Sequence, residues 1–250
     1  MIPSPLVAWA PSLDGARAVF TGRGDGNDAG VSRPPFDALN LARHVGDRDE
    51  DVRRNREAVS ALVSAPLAFV EQVHGTDVRA LTAEDDPSAV MTADAMVTDR
   101  SDVALAIMVA DCVPVLLSDA SAGVVGAAHA GRRGLLDGVL ARTVGAMVGL
   151  GARAEHLQVA IGPSICPLCY EVPAAMCEDS GTILPATVSR TRTGTPSLDL
   201  RAGAVQALVR CGVDEARIQA DPPCTLEDER FFSYRRSHRT GRFAGVVRRA

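Results

Sequence analysis

Two apolar runs, residues 103–109 and 113–117, stand three residues apart, and neither alternates apolar with polar side chains. A strand exposed on one face shows a period of two, so runs without that period predict strands covered on both faces, although the pattern alone also admits buried helix. A third run of small residues, 123–128, leads directly into His129. Strands of this kind need covering layers, which points to sheets and helices stacked around one core.

The rest of the chain supplies those layers. Short strands are expected at residues 5–10 and 16–21, on either side of a Ser12-Leu13-Asp14-Gly15 turn. Residues 22–35, rich in Gly, Asp, Asn and Pro, predict an irregular surface loop of the type that covers substrates. Val52, Val59, Leu62 and Val63 mark the apolar stripe of a helix over 51–63, with Asp49, Glu50 and Asp51 at its amino end. A strand over 67–70 leads into Glu71-Gln72-Val73-His74-Gly75. After Ala130-Gly131-Arg132-Arg133-Gly134 the spacing of Leu136, Val139, Leu140, Val144 and Met147 predicts one helix. Strands over 157–161 and 243–247 follow, with an Asp199-capped helix between them carrying Leu200, Ala204, Leu208 and Cys211. No repeat or linker divides the chain. The expectation is a single domain over residues 1–250, α+β in class, with mixed β-sheets flanked by helices in a layered α/β sandwich.

Composition narrows the chemistry. All 26 basic side chains are arginine, which excludes a Schiff-base lysine and a P-loop lysine. A net charge of −5 argues against nucleic acid as the main partner. No apolar stretch is long enough to span a bilayer and the amino terminus lacks a charged leader, so we expect no membrane and a cytoplasmic location, with a monomer or small homo-oligomer. In that compartment the six cysteines are read as reduced thiols. Cys166-x-x-Cys169 has no second pair at matching spacing, and Cys177 and Cys224 are loose additions, so it is not read as the active site.

His74, Cys112 and His129 each stand at the end of an apolar run, where loops converge over a sheet edge. Two imidazoles and one thiolate suit a borderline-soft cation and leave a coordination position open. Their wide separations match no compact metal motif, and a buried histidine or inert cysteine is the ordinary alternative for each taken alone.

The segments Gln72-Val73-His74-Gly75, Ala110-Asp111-Cys112-Val113-Pro114-Val115-Leu116-Leu117 and His129-Ala130-Gly131-Arg132-Arg133-Gly134 resemble the signatures of the laccase-domain, or polyphenol-oxidase-like, family, also described as zinc-dependent purine nucleoside phosphorylases. The resemblance runs on through Leu39-Asn40-Leu41, His44-Val45-Gly46-Asp47, Asn55-Arg56, Ala93-Asp94-Ala95, Tyr170-Glu171-Val172 and Phe231-Phe232-Ser233-Tyr234-Arg235-Arg236, nearly the whole chain. It implies that His74, Cys112 and His129 are zinc ligands. It also implies phosphorolysis of adenosine, inosine and methylthioadenosine, and deamination of adenosine. Arg132 stands where the family usually has Trp.

Phosphorolysis needs an anion site, ribose contacts and stabilisation of charge on the departing base. We expect phosphate near Arg133, with Arg132 beside it, where a turn opens a helix. Arg56 and Arg235 are further candidates for anion or ribose contacts, Asn40 and Gln72 for ribose or base, and His44 and Glu171 for acid or base work. Asp111 is read as a partner of Cys112 or a turn carboxylate. A multicopper oxidase needs roughly twice as many histidines as the five present. A single copper giving weak phenol oxidase activity, a cysteine hydrolase pairing Cys112 with His129, and a metal- or nucleoside-binding regulatory module remain open readings.

Overall fold

In the computed structural model, which describes residues 4–24 and 29–250, the two long apolar runs become strands of two different sheets. The chain opens with β1 (Val7–Trp9), β2 (Ala16–Thr21), α1 (Asp49–Val63), β3 (Leu67–Ala68), β4 (Val78–Leu81) and β5 (Ala95–Thr98). Next come β6 (Ala104–Val109), β7 (Val113–Asp119), β8 (Val124–Ala130), α2 (Arg132–Leu136), α3 (Val139–Gly149) and β9 (Gln158–Ile161). Then follow α4 (Ala174–Ile183), the hairpin of β10 (Val188–Arg190) and β11 (Pro196–Leu198), α5 (Leu200–Arg210), β12 (Ile218–Gln219) and β13 (Phe243–Arg249). The five-stranded sheet has the order β1-β2-β13-β6-β3, the six-stranded sheet β12-β9-β7-β8-β5-β4. Both sheets are mixed: β3 runs parallel to β6, β4 to β5 and β12 to β9, whereas β7 and β8 are antiparallel.

Three apolar clusters stack these elements into four layers. Leu105, Ile107 and Val109 of β6 face Leu116, Val125 and Ala127 of the other sheet, forming the inner cluster. Ala104, Ala106 and Met108 face the opposite way, onto Val59 and Val63 of α1. Val113, Val115 and Leu117 of β7 pack against Val144 and Met147 of α3 and Leu208 of α5. Every residue of β6 and β7 is buried, which is why their sequences show no alternation. Each large aliphatic side chain buried in this way contributes about 1.5–3 kcal/mol.

Three expectations need correction. The helix read through Met147 is two helices, because Gly138 adopts φ +97 between Leu136 and Val139 and breaks the hydrogen-bond ladder. The strand read over 67–70 pairs with β6 only through Leu67 and Ala68, after which Glu71 exchanges backbone hydrogen bonds with Met91 and Ala93. Of the loop read over 22–35, residues 25–28 lie outside the described residues, and much of the adjoining chain is packed rather than exposed. Ala29, Phe36, Ala38, Leu39 and Leu41 are buried. Asn55 of α1 donates to Ser32 Oγ and to the Ala38 and Asn40 carbonyls and accepts from the Val31 amide, so this irregular backbone has internal partners.

Candidate metal centre

The crossing from one sheet to the other builds the site. Residues 110–112 carry the chain from β6 to β7, and Asp111 makes the turn at φ +90. Its carboxylate accepts from the Thr225 hydroxyl at 2.6 Å and from the Arg235 amide at 2.6 Å, tying the C-terminal segment to this corner. Cys112 follows directly. His129 is the penultimate residue of β8, inside the strand rather than beyond it. His74 occupies a left-handed turn at φ +59 after β3. The ligating atoms of His74, Cys112 and His129 all lie within 4.8 Å of one another. Cys112 Sγ is 3.7 Å from His74 Nε2, and the two imidazoles meet edge to face with centroids 4.7 Å apart.

Asp94 organises this trio. The β5–β8 register pairs Ala95 with Ala128, which brings Asp94 beside His129. Asp94 Oδ1 lies 2.8 Å from His129 Nδ1, and the same buried carboxylate accepts the amides of Val73, His74 and Gly75 at 3.2, 2.9 and 2.6 Å. Donation from Nδ1 leaves Nε2 of His129 as the nitrogen that could hold a metal. Burial works against ionisation of Asp94, but the hydrogen bonds from His129 and the backbone amides outweigh it and lower its pKa.

The protons of the trio are arranged for a cation. Burial opposes ionisation of the Cys112 thiol, but the charge of His129 and hydrogen bonds from both imidazoles bring it down to about 6. Burial likewise opposes protonation of His129, yet Cys112 and Asp94 raise it to about 9. The shifts run in opposite directions and favour a thiolate beside a protonated imidazole, a proton that a bound divalent ion would displace. Two nitrogens and one thiolate, with a carboxylate behind the buried histidine, fit zinc.

The approach is close enough to require glycine. A Cβ on Gly131 would fall 2.6 Å from Cδ2 of His74 and 3.4 Å from Cys112 Sγ. Arg133, expected at phosphate, instead donates to the carbonyls of Val73 at 3.0 Å and His74 at 3.3 Å, bracing the left-handed turn. It does not line the cavity. The helix expected to attract an anion there is only the five-residue α2.

A cavity of about 780 Å³ opens over the trio. Arg132, Arg235 and Arg242 line it together with Tyr170, Tyr234 and His44. Gln72 also lines it, with its amide spent on the Met108 backbone at 2.8 and 2.9 Å. Arg235 stacks at 5.3 Å over the Tyr170 ring. Arg56 is outside the lining: it donates to the Leu41 carbonyl and lies 3.8 Å over Phe69, and burial lowers its pKa to about 10. Asn40 is buried, its side chain taken up by Ala42, Asp47 and the Arg242 amide. Glu171 presents its carbonyl to Arg235 and is exposed. Tyr170 and Tyr234 carry no individual signal in the sequence, whereas Arg242 stands in the basic run of Arg235, Arg236, Arg239 and Arg242 and in the Thr240-Gly241-Arg242 stretch that shares the family resemblance. The two tyrosines fall within the motifs at 170–172 and 231–236.

The sequence profile of the family described as multi-copper polyphenol oxidoreductase laccase matches residues 17–250. A purine nucleoside phosphorylase of Corynebacterium glutamicum is 43% identical, covering 92% of this chain and 93% of its own length. One from Streptomyces griseus is 44% identical, covering 95% and 96% respectively. Among solved structures, the Bacillus licheniformis hypothetical protein YfiH aligns with a TM-score of 0.88 at 29% identity, covering 100% of this chain and 98% of the other. No helix among the described residues is long and apolar enough to cross a membrane. With the ligand trio set at the junction of two sheets and a profile match over nearly the whole length, the chain belongs to the multi-copper polyphenol oxidoreductase laccase family, alongside relatives named purine nucleoside phosphorylase.

Proposed function

We propose that this chain is a zinc-dependent purine nucleoside phosphorylase acting on adenosine, inosine and methylthioadenosine, with an accompanying adenosine deaminase activity. The observation that carries this reading is the junction of a two-histidine, one-cysteine trio with a cavity of about 780 Å³ rimmed by Arg132, Arg235 and Arg242. That volume lies within the range of small-molecule sites. Relatives at 43% and 44% identity bear the phosphorylase name.

His74, Cys112 and His129 would hold the metal, which supplies a Lewis acid with an open coordination position. The three cavity arginines neutralise and orient phosphate, and their planar forks suit its oxygens. Arg132 takes the role expected of its neighbour, whose guanidinium is spent on the His74 turn. Tyr170 and Tyr234 add aromatic surface to the cavity lining, suited to a purine. Burial lowers the pKa of His44, and the charges of Arg242 and Arg56 lower it further, so this imidazole is neutral at pH 7 and suited to take a proton. Enclosure among Val70, Met108 and Ile165 limits water around the breaking bond.

A copper-bound phenol oxidase is the second reading, favoured only by the family's description and by the affinity of copper for nitrogen and sulfur donors. Metal-defined protein incubated with adenosine, with and without phosphate, separates the two. Phosphate-dependent adenine and ribose 1-phosphate, with inosine formed irrespective of phosphate, support the proposal. Oxygen uptake with phenols that requires added copper, without purine products, replaces it.

A further inference from the structure

Cys166 and Cys169 read as isolated thiols in the sequence, with Cys224 far downstream. The fold brings all three together with Glu227, their ligand atoms within 4.8 Å of one another. We propose that Cys166, Cys169, Cys224 and Glu227 form a second metal site, a closed structural zinc centre separate from the His74–Cys112–His129 trio.

The backbone around the cluster supports this. Cys166 to Cys169 is a tight turn in which the amides of Cys169 and Tyr170 both donate to the Cys166 carbonyl at 3.0 Å. Opposite it, the amides of Glu227 and Asp228 turn back onto the Cys224 carbonyl at 3.2 and 2.9 Å, which presents Cys224 and Glu227 on one side. Ser164 and Cys224 bridge the two turns, and the Cys166 amide donates to Cys224 Sγ at 3.3 Å, a contact that favours a thiolate. Pro167, Pro222 and Pro223 fix φ within and before the two turns. A tetrahedron of thiolates around zinc has edges of about 3.8 Å, close to the 4.8 Å within which these ligand atoms already lie. All six cysteines are free thiols.

Charge balances as well. Three thiolates and a carboxylate around a divalent ion leave two negative charges, and two guanidiniums stand against them. Arg201 is clamped behind the turns, donating to Ser164 Oγ at 2.9 Å and to the Pro222 and Pro223 carbonyls at 2.7 and 2.8 Å. Arg192 pairs with Glu227 and reaches to 3.8 Å from Cys169 Sγ. Three soft sulfurs with no open position favour a structural role, each thiol releasing its proton as the ion binds. The site fastens two walls of the cavity: Ile165 and Tyr170 line it from one turn, and Thr225 of the other holds Asp111 beside Cys112.

Cobalt(II) titration of the Cys112→Ser protein tests this without any contribution from the first thiolate. The expected result is one bound cobalt per chain with thiolate-to-metal charge-transfer absorption. That absorption should fall by about a third or vanish in Cys112→Ser/Cys169→Ser, and persist in Cys112→Ser/Glu227→Gln with affinity about tenfold weaker. Absence of the charge-transfer band in the Cys112→Ser protein, or fewer than five titratable thiols in its unreduced form, overturns the proposal. Failure of phosphorolysis in the wild type leaves this readout unchanged, so the two readings fail separately.

Discussion

His129 Nδ1 lies 2.8 Å from Asp94 Oδ1, and the carboxylate that makes this contact also holds the amides on both sides of His74. One buried side chain therefore sets the position of two imidazoles delivered by different segments. Asp94→Asn keeps the volume but places an amide nitrogen where acceptors are needed. Zinc affinity of the trio should fall by about 10–100-fold, and unfolding free energy by about 3 kcal/mol. Chelator competition in a Cys166→Ser background and urea denaturation measure the two. Unchanged affinity would show that the carboxylate only supports the fold.

Gly131 has φ −68 and ψ 160, so alanine meets no backbone strain there and the cost falls on the ligands. Gly131→Ala should retain its circular dichroism while losing metal from the trio, because the new Cβ would collide with the His74 ring. Gly145 of α3 has no atom within 4 Å of its added Cβ. Gly145→Ala should retain metal and gain about 0.5–1 kcal/mol in stability. Equal metal content in both variants would show that the close approach of Gly131 to His74 does not limit binding.

Arg132 and Arg133 are adjacent in sequence and face different tasks. Arg132→Met should keep its zinc while KM for phosphate rises about tenfold, the loss of one charge-assisted contact. Arg133→Met removes the brace on the His74 turn, so its first defect should be weaker zinc binding, recovered by excess metal. Steady-state kinetics at two zinc concentrations distinguish them. The reverse pattern would restore Arg133 to the phosphate.

What the sequence revealed follows from where one element carries its own signal. The strands over 104–109 and 113–119 are legible because both faces are buried, and Asp199 caps α5 by accepting the Ala202 amide. The strand β5 has no such signal, because only four residues, Ala95–Thr98, carry it. The helix α4 contains Ser180 and Gly181 and has no clear apolar stripe. At the site, strand-end position and donor type single out His74, Cys112 and His129 but their spacing is uninformative, and resemblance to a family is what makes them metal candidates. Asp94 as their common support, the turned-back Arg133 and the union of Cys224 with Cys166 depend on register and on loops meeting across the fold, which local pattern does not encode.

Asp119 gives a pH signature remote from the metal ligands. Burial works against its ionisation, but the Ser121 hydroxyl and the amides of Arg153, Ala122 and Ser121 outweigh it and depress its pKa. A carboxyl depressed in the folded state stabilises the fold above its unfolded value of about 3.9, and that stabilisation is lost as pH falls through the lower folded value. The stability difference between wild type and Asp119→Asn should therefore be level from neutral pH to about 5 and shrink below that. A difference that grows with acidity would contradict the assignment.

If a metal held by His74, Cys112 and His129 serves phosphate-dependent cleavage of a purine nucleoside, activity must follow both the metal and phosphate. The direct measurement is ribose 1-phosphate formation from adenosine by protein stripped of metal and rebuilt with zinc, for wild type and His74→Ala. The expected result is a wild-type rate that requires both zinc and phosphate and is absent from the variant. Zinc bound at the trio without any purine product, or the same turnover in His74→Ala, would contradict it.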